Sequence, residues 1–138
     1  MKYLLDTNII SELRKGDRCH PAVAAWFASV DDDELFISTL VLGEIRRGIE
    51  IVRPKSPERA AELEVWLENL IEGYSDSTIP VDRMVADVWG RLSSRRTLRT
   101  TDGLLAATAV AHDLVLVTRN TSDIADLNAV VLNPFLSP

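Results

Sequence analysis

An α/β fold, a three-layer α/β/α sandwich around a central parallel sheet, is the architecture this sequence predicts. Three observations predict it. Short apolar runs at Lys2–Leu5, Leu35–Ser38 and Leu114–Val117 have no polar alternation, as expected of strands buried on both faces. Longer segments of helical period separate these runs, and that alternation implies parallel pairing with helices covering both faces. The 138 residues, 46% of them hydrophobic, suit one core, and no repeat, linker or low-complexity tract divides them. Residues 1–138 are therefore expected to form one domain.

In chain order, Lys2–Leu5 reads as a buried strand that delivers the polar turn Asp6-Thr7-Asn8 at its carboxyl end. Asn8 is placed to cap a short helix, Ile9–Arg14, and Pro21 to start a second that ends at Val30. Leu35–Ser38 is the next strand, followed by a helix over Thr39–Val52 that stops before Pro54. Ser56-Pro57 opens another helix, whose Leu63, Trp66, Leu67, Leu70 and Ile71 form one stripe and which Gly73 closes. Thr78–Val81 is a brief strand, and Asp82 caps a helix with Val85, Val88, Trp89 and Leu92 on one face. Asp102–His112 is apolar all round and so is a buried helix. Leu114–Val117 is a strand, Ser122–Leu127 a helical turn and Ala129–Leu132 a last strand.

Composition narrows the function. Met1–Asp6 lacks the long apolar run and small-residue cleavage site of a signal peptide, and charged residues interrupt every hydrophobic stretch before it reaches the ~20 residues of a membrane span. A cytoplasmic protein without membrane attachment is expected. Cys19 is the single cysteine, which excludes an internal disulfide and multi-cysteine metal sites. A net charge of -6 argues against a polyanionic substrate, unless several carboxylates are neutralised together by bound cations. Twelve of the fifteen basic residues are arginines, and Arg46, Arg47, Arg95, Arg96 and Arg99 are candidates for phosphate contacts or, equally, ordinary solvated helix faces.

In open parallel sheets, ligands bind outside the carboxyl ends of the strands. Asp6 follows the first strand, the Thr118–Asp123 loop follows Leu114–Val117, and Asp102 heads the helix that runs back against that strand. Glu44 lies roughly 20–40° from Leu40 and Ile51 around its helix, at the margin of the apolar stripe. A half-buried carboxylate there needs a cation or a donor, and an arginine bridge would also serve. Asp102 and Asp123 each have a plain alternative as helix caps. Convergence of the four at one edge is what points to a cation site, and a donor set of hard oxygens without cysteine or histidine suits Mg²⁺, with Mn²⁺ as a substitute.

These residues carry a family resemblance. Leu4-Leu5-Asp6-Thr7-Asn8-Ile9-Ile10-Ser11-Glu12 resembles the first motif of PIN-domain nucleases, and Leu42-Gly43-Glu44-Ile45-Arg46-Arg47-Gly48 the second. Thr101-Asp102-Gly103-Leu104-Leu105-Ala106-Ala107-Thr108-Ala109 and Thr118-Arg119-Asn120-Thr121-Ser122-Asp123 resemble the third and fourth, and the ending Asn133-Pro134-Phe135 is similar to that of the VapC and FitB branch of bacterial toxins. The resemblance implies a metal-dependent ribonuclease that forms a homodimer and is blocked by a cognate antitoxin. It implies Asp6, Glu44 and Asp102 as metal ligands, Asp123 as a second or water-linked contact, and Thr7, Asn8 and Thr118 as residues that orient the carboxylates. Asn120 and Asp123 are both candidates for the acting residue of the fourth motif.

Phosphodiester hydrolysis then proceeds by metal activation of water, which lowers its pKa from ~15.7 toward ~7 and needs no histidine. His20 and His112 are the only histidines, which disfavours a histidine-pair mechanism. Two other readings remain. An Asp-nucleophile phosphatase of the haloacid-dehalogenase type needs a second Asp where this chain has Asn8, and a lysine in the second half, where none occurs after Lys55. A catalytically idle PIN-like module that binds RNA or protein would have lost acidic residues that are present here.

Overall fold

The computed structural model describes residues 1–124 and 126–136. At the centre of its sheet is β1 (Tyr3–Leu5), paired with β2 (Leu35–Ser38) on one side. Beyond β2 lies β3 (Thr78–Ile79), and on the other side of β1 come β4 (Val115–Val117) and β5 (Val131–Leu132). The order is β3-β2-β1-β4-β5 and every pairing is parallel. Leu4 stands opposite Phe36 in β2 and Leu116 in β4, so the middle of the sheet is built from the apolar runs visible in the sequence. Leu4, Leu5, Ile37 and Val117 are wholly buried.

Among the described residues six α-helices clothe this sheet, in the α/β/α arrangement expected: α1 (Thr7–Leu13), α2 (Pro21–Ser29), α3 (Thr39–Val52), α4 (Pro57–Gly73), α5 (Arg83–Ser93) and α6 (Thr100–Ala111). Side chains start five of them, because the first amides of a helix have no partner within it, and at α2 the cap is His20, whose Nδ1 accepts from the Ala22 amide at 3.2 Å. Asp6 accepts from Thr7, Ser38 from Leu40, Ser56 from Arg59 and Asp82 from Val85. Among the described residues, no helix is long and apolar enough to cross a membrane.

Two helix starts differ from expectation, and both matter for the site. The cap of α1 is Asp6 rather than Asn8, which lies inside the first turn, because the Asp6 main-chain oxygen already accepts from Ile9 and Ile10. Helix α6 begins at Thr100, with Arg99 in the capping position and no side-chain cap. Asp102 is thus the third helical residue and not the cap, so the capping explanation for its carboxylate falls away. The strand expected over Thr78–Val81 stops at Ile79 because Pro80 has no amide proton to continue the ladder.

The order of strands creates a crevice. From β1 the chain crosses over to β2 and β3 on one side, whereas from β4 it crosses to β5 on the other. Connections that diverge from adjacent strands leave open the space beyond their carboxyl ends. That space lies between Asp6 and Thr118. Its outer wall is the first turn of α6, held by α5: a Cβ on Gly103 would sit 3.1 Å from both Cδ1 and Nε1 of Trp89, so only glycine lets the indole pack this close beside Asp102.

Candidate functional site

Asp6 leaves β1 at the crevice and is buried. Its Oδ1 accepts from the Thr7 amide at 2.7 Å, and its Oδ2 accepts from Thr118 Oγ1 at 2.8 Å across the β1–β4 boundary. The direction of that second bond follows from counting. A hydroxyl has one proton and two lone pairs. Thr118 Oγ1 already accepts from Asn8 Nδ2 at 3.3 Å and from the Asn120 amide at 3.1 Å, so its proton belongs to Asp6. Asn8 completes the clamp, with Nδ2 3.4 Å from Asp6 Oδ2 and Oδ1 accepting from the Arg119 amide at 3.2 Å. Thr7, Asn8 and Thr118 therefore touch the carboxylates they were expected to orient.

Glu44 reaches the site from α3. Its Oε1 accepts from Thr7 Oγ1 at 2.9 Å, which ties the second motif to the first without an arginine. Burial pushes the Asp6 carboxyl above its usual range against the pull of the Thr118 and Thr7 hydrogen bonds, and the Asp102 charge pushes the same way. Burial likewise lifts Glu44, opposed by Thr7, with the charges of Asp6 and Asp102 adding to the rise. Arg99 pulls both down. Three carboxylates and one guanidinium thus lie within one electrostatic neighbourhood.

Behind Asp6 and Asp102 is a cavity of about 10 Å³, closed by Thr118, Asn120 and the apolar Leu105, Leu116 and Ile124. It is about the size of one water. On the other side, Glu44, Arg47 and Thr101 line an open groove of about 420 Å³ whose apolar part is Leu40 and Val81. Of the two candidates in the fourth motif, Asn120 faces the cavity. Asp123 lies exposed in the 3₁₀ turn Thr121–Asp123, where its main-chain oxygen accepts from Arg96.

The five arginines separate by what they touch. Arg46 bridges Glu50 at 3.2 Å and Glu64 at 3.0 Å, joining α3 to α4, and Arg96 binds Asp126 and the Asp123 main chain. Both guanidinium groups are committed to the protein itself. Arg47 faces the groove beside Glu44, and Arg95 is exposed without a carboxylate partner among the described residues. Arg119 was not among the sequence candidates, although it lies inside the fourth motif. It stacks on the Phe135 ring at 4.4 Å, at the very edge of the crevice.

The donor chemistry fits a hard divalent cation, for it consists of carboxylate, hydroxyl and amide oxygens in a site where like charges repel. Among the described residues, no three Asp, Glu, His or Cys side chains stand close enough together to form a ready-made metal cage. The fit is therefore one of ligand type and electrostatics.

Comparison with known proteins places this arrangement among others. The PIN domain family model matches residues 3–129. "VapC ribonuclease Y4jK" of Sinorhizobium fredii is 31% identical over 142 residues, covering 96% of this chain and 96% of that protein. "Toxin FitB" of Neisseria gonorrhoeae is 26% identical over 137 residues, covering 96% and 97%. Among solved structures, FitAcB from Neisseria gonorrhoeae superposes with a TM-score of 0.87 at 27% identity over 96% of this chain and 98% of that one. FitAB bound to an IR36 DNA fragment gives the same TM-score at 25% identity over 99% and 97%.

Proposed function

From the premise that the chain belongs to the PIN domain family, we propose that it is an Mg²⁺-dependent endoribonuclease and the toxin of a toxin–antitoxin pair. The observation that carries this reading is that Asp6 and Glu44, linked through Thr7, both feel the charge of Asp102 at the crevice between β1 and β4. Asp6, Glu44 and Asp102 would hold the cation, with Asp123 as a further candidate contact. When bound, the cation supplies activation of water and stabilisation of charge on the phosphate oxygens.

The chain's own residues do the rest. Thr118 and the Thr7 amide fix the rotamer of Asp6, and Thr7 Oγ1 holds Glu44, so two ligands are oriented before a cation arrives. Arg99, already in the field of both carboxylates, offsets part of their repulsion. Arg47 extends that positive edge along the groove beside Glu44. A cognate antitoxin is the protein partner, supported by the toxin names of the relatives, and the working unit is a cytoplasmic homodimer.

Cleavage of total RNA with and without Mg²⁺ tests the proposal. Fragments should accumulate with Mg²⁺ or Mn²⁺ and vanish in excess EDTA, because without a cation nothing offsets the carboxylates' repulsion of a phosphate or lowers the pKa of the attacking water. Persistent cleavage in EDTA would sink the metal mechanism, and intact RNA in every condition would favour a binding module.

The arginine contacts give a second expected result. Replacing Arg47 and Arg95 together by Ala should weaken RNA binding and make its salt dependence shallower by roughly 0.7 per lost phosphate contact. Replacing Arg46 and Arg96 should leave that slope unchanged, since both are engaged by carboxylates. Affinity measured by fluorescence anisotropy over a salt series separates the two. Equal slopes in both double variants would remove these arginines from the RNA path.

A further inference from the structure

The carboxyl edge of the sheet sets out features in a fixed order. Moving outward from β2 one meets Glu44 and Arg47, then Asp6 after β1, then Thr118, Arg119 and Asn120 after β4, and finally Asn133 after β5. At ~4.8 Å per strand, β2 to β5 spans on the order of 15 Å. A single strand of RNA whose phosphate lies between Asp6 and Asp102 can continue along this edge over the Thr118–Asn120 loop. On that side lies a groove of about 660 Å³ between α2 and β5.

Its lining is apolar with a polar rim. Ala22, Ala25 and Trp26 of α2 form one wall, Leu132 of β5 the other, and Thr121 and Asn133 stand at the end nearest the crevice. Thr121 directly follows Asn120, which faces the cavity behind Asp6, so groove and crevice are adjoining parts of one surface. Between them stands Arg119. Its guanidinium is exposed, has no carboxylate partner among the described residues, and is held over the Phe135 ring. Phe135 in turn is pinned by its amide donating to Asn133 Oδ1 at 3.0 Å and by the edge of His20, so the cation is preorganised rather than waving in solvent.

We propose that this groove is a base-binding subsite: Arg119 holds a phosphate flanking the scissile one, and the adjacent base lies in the α2/β5 groove against Trp26. This rests on the ribonuclease reading above. Single-stranded RNA is recognised by splayed bases on aromatic faces with cations tracking the backbone, and the groove joins one aromatic ring and one fixed cation directly to the catalytic crevice. A purely apolar peptide would use the groove but would have no use for the exposed guanidinium at its mouth.

The test uses the full chain carrying Asp6→Asn, so that RNA is bound but not cut, and a single-stranded RNA dodecamer of random sequence as the probe. Arg119→Ala, a surface change, should weaken binding and reduce the salt slope by roughly 0.7. Ala25→Trp, which fills the groove, should weaken binding about tenfold, the worth of one stacked base, and leave the salt slope as it was. Circular dichroism establishes that both fold, and Ala22→Leu serves as the milder filling should Ala25→Trp not. Unchanged affinity in the folded groove-filling variant overturns the proposal, and loss of antitoxin binding by that same variant would make the groove a protein-docking surface instead. No dodecamer binding by the Asp6→Asn parent would instead overturn the ribonuclease reading, and the subsite with it.

Discussion

Asp102→Asn is expected to lower RNA cleavage by roughly 10²–10⁴-fold, because a lost cation ligand removes several kcal/mol of transition-state stabilisation. Its fold should survive. Asp102 caps nothing, lying third in α6 with Arg99 before the helix, so Asn loses only the attraction of a helix amino end for an anion, about 0.3–1 kcal/mol. Against that stands relief of repulsion, since the Asp102 charge helps raise both Asp6 and Glu44. The thermal midpoint in EDTA should therefore stay close to that of the parent. Asp6→Asn should lose as much activity but gain less stability, because an amide nitrogen placed toward Thr118 Oγ1 would meet a third donor where an acceptor is needed. A large fall in thermal midpoint for Asp102→Asn would return that residue to a structural role.

The same pair predicts a pH trend for the cation-free protein. Burial raises the Asp6 and Glu44 carboxyls above their ordinary range, so the folded state binds their protons more tightly than the unfolded chain does. Their contribution to stability is then fully present below the ordinary carboxylate range and is lost as pH rises through the raised values. Melting in EDTA from roughly pH 4 to 7 should show this decline, and it should be shallower in Asp6→Asn. A decline of equal steepness in both proteins would mean that Asp6 is not its source.

Thr118→Val is the second large effect. The swap keeps the shape of a buried side chain and removes one oxygen that serves Asp6, Asn8 and Asn120 at once. Loss of a residue that orients a metal ligand typically costs about 10–100-fold in metal affinity or activity. The Mg²⁺ concentration for half-maximal cleavage should rise, and part of the loss should be recovered by raising Mg²⁺. Thr118→Ser, which keeps the hydroxyl, should restore most of the function. A Val variant with the parent's Mg²⁺ requirement would show that Thr118 holds the fold and not the ligand.

Much of this was legible from the chain, and the rest was hidden for identifiable reasons. The limits of α3 and α4 were readable because Ser38, Ser56, Pro57 and Gly73 are local signals, each acting within a turn of its helix. The start of α6 was not, since Arg99 makes no side-chain cap and Thr100-Thr101-Asp102 offers three plausible caps in succession. At the site, local pattern singled out Asp6 at a strand end, Glu44 at the margin of an apolar stripe and Asp102 at the head of an apolar helix, and the structure links the first two through Thr7. Which arginines were free was beyond reach, because Arg46 is claimed by Glu64 on another helix and Arg96 by Asp126 some 30 residues away. Arg119 escaped notice as a lone basic residue, and only its position over Phe135 gives it meaning. Pairings of that sort depend on tertiary packing rather than on pattern.

The bond from Thr118 to Asp6 joins residues 112 positions apart, and the strands that carry them form the middle of the sheet. Asp6 is made well before its clamp, which needs Thr118 from the loop after β4. At about 5–20 residues per second, translation keeps the two halves of the site apart for on the order of ten seconds. Throughout that interval the nascent chain carries Asp6 without the residue that completes its clamp. The topology thereby delays the complete clamp around Asp6 until β4 and the loop after it have been made.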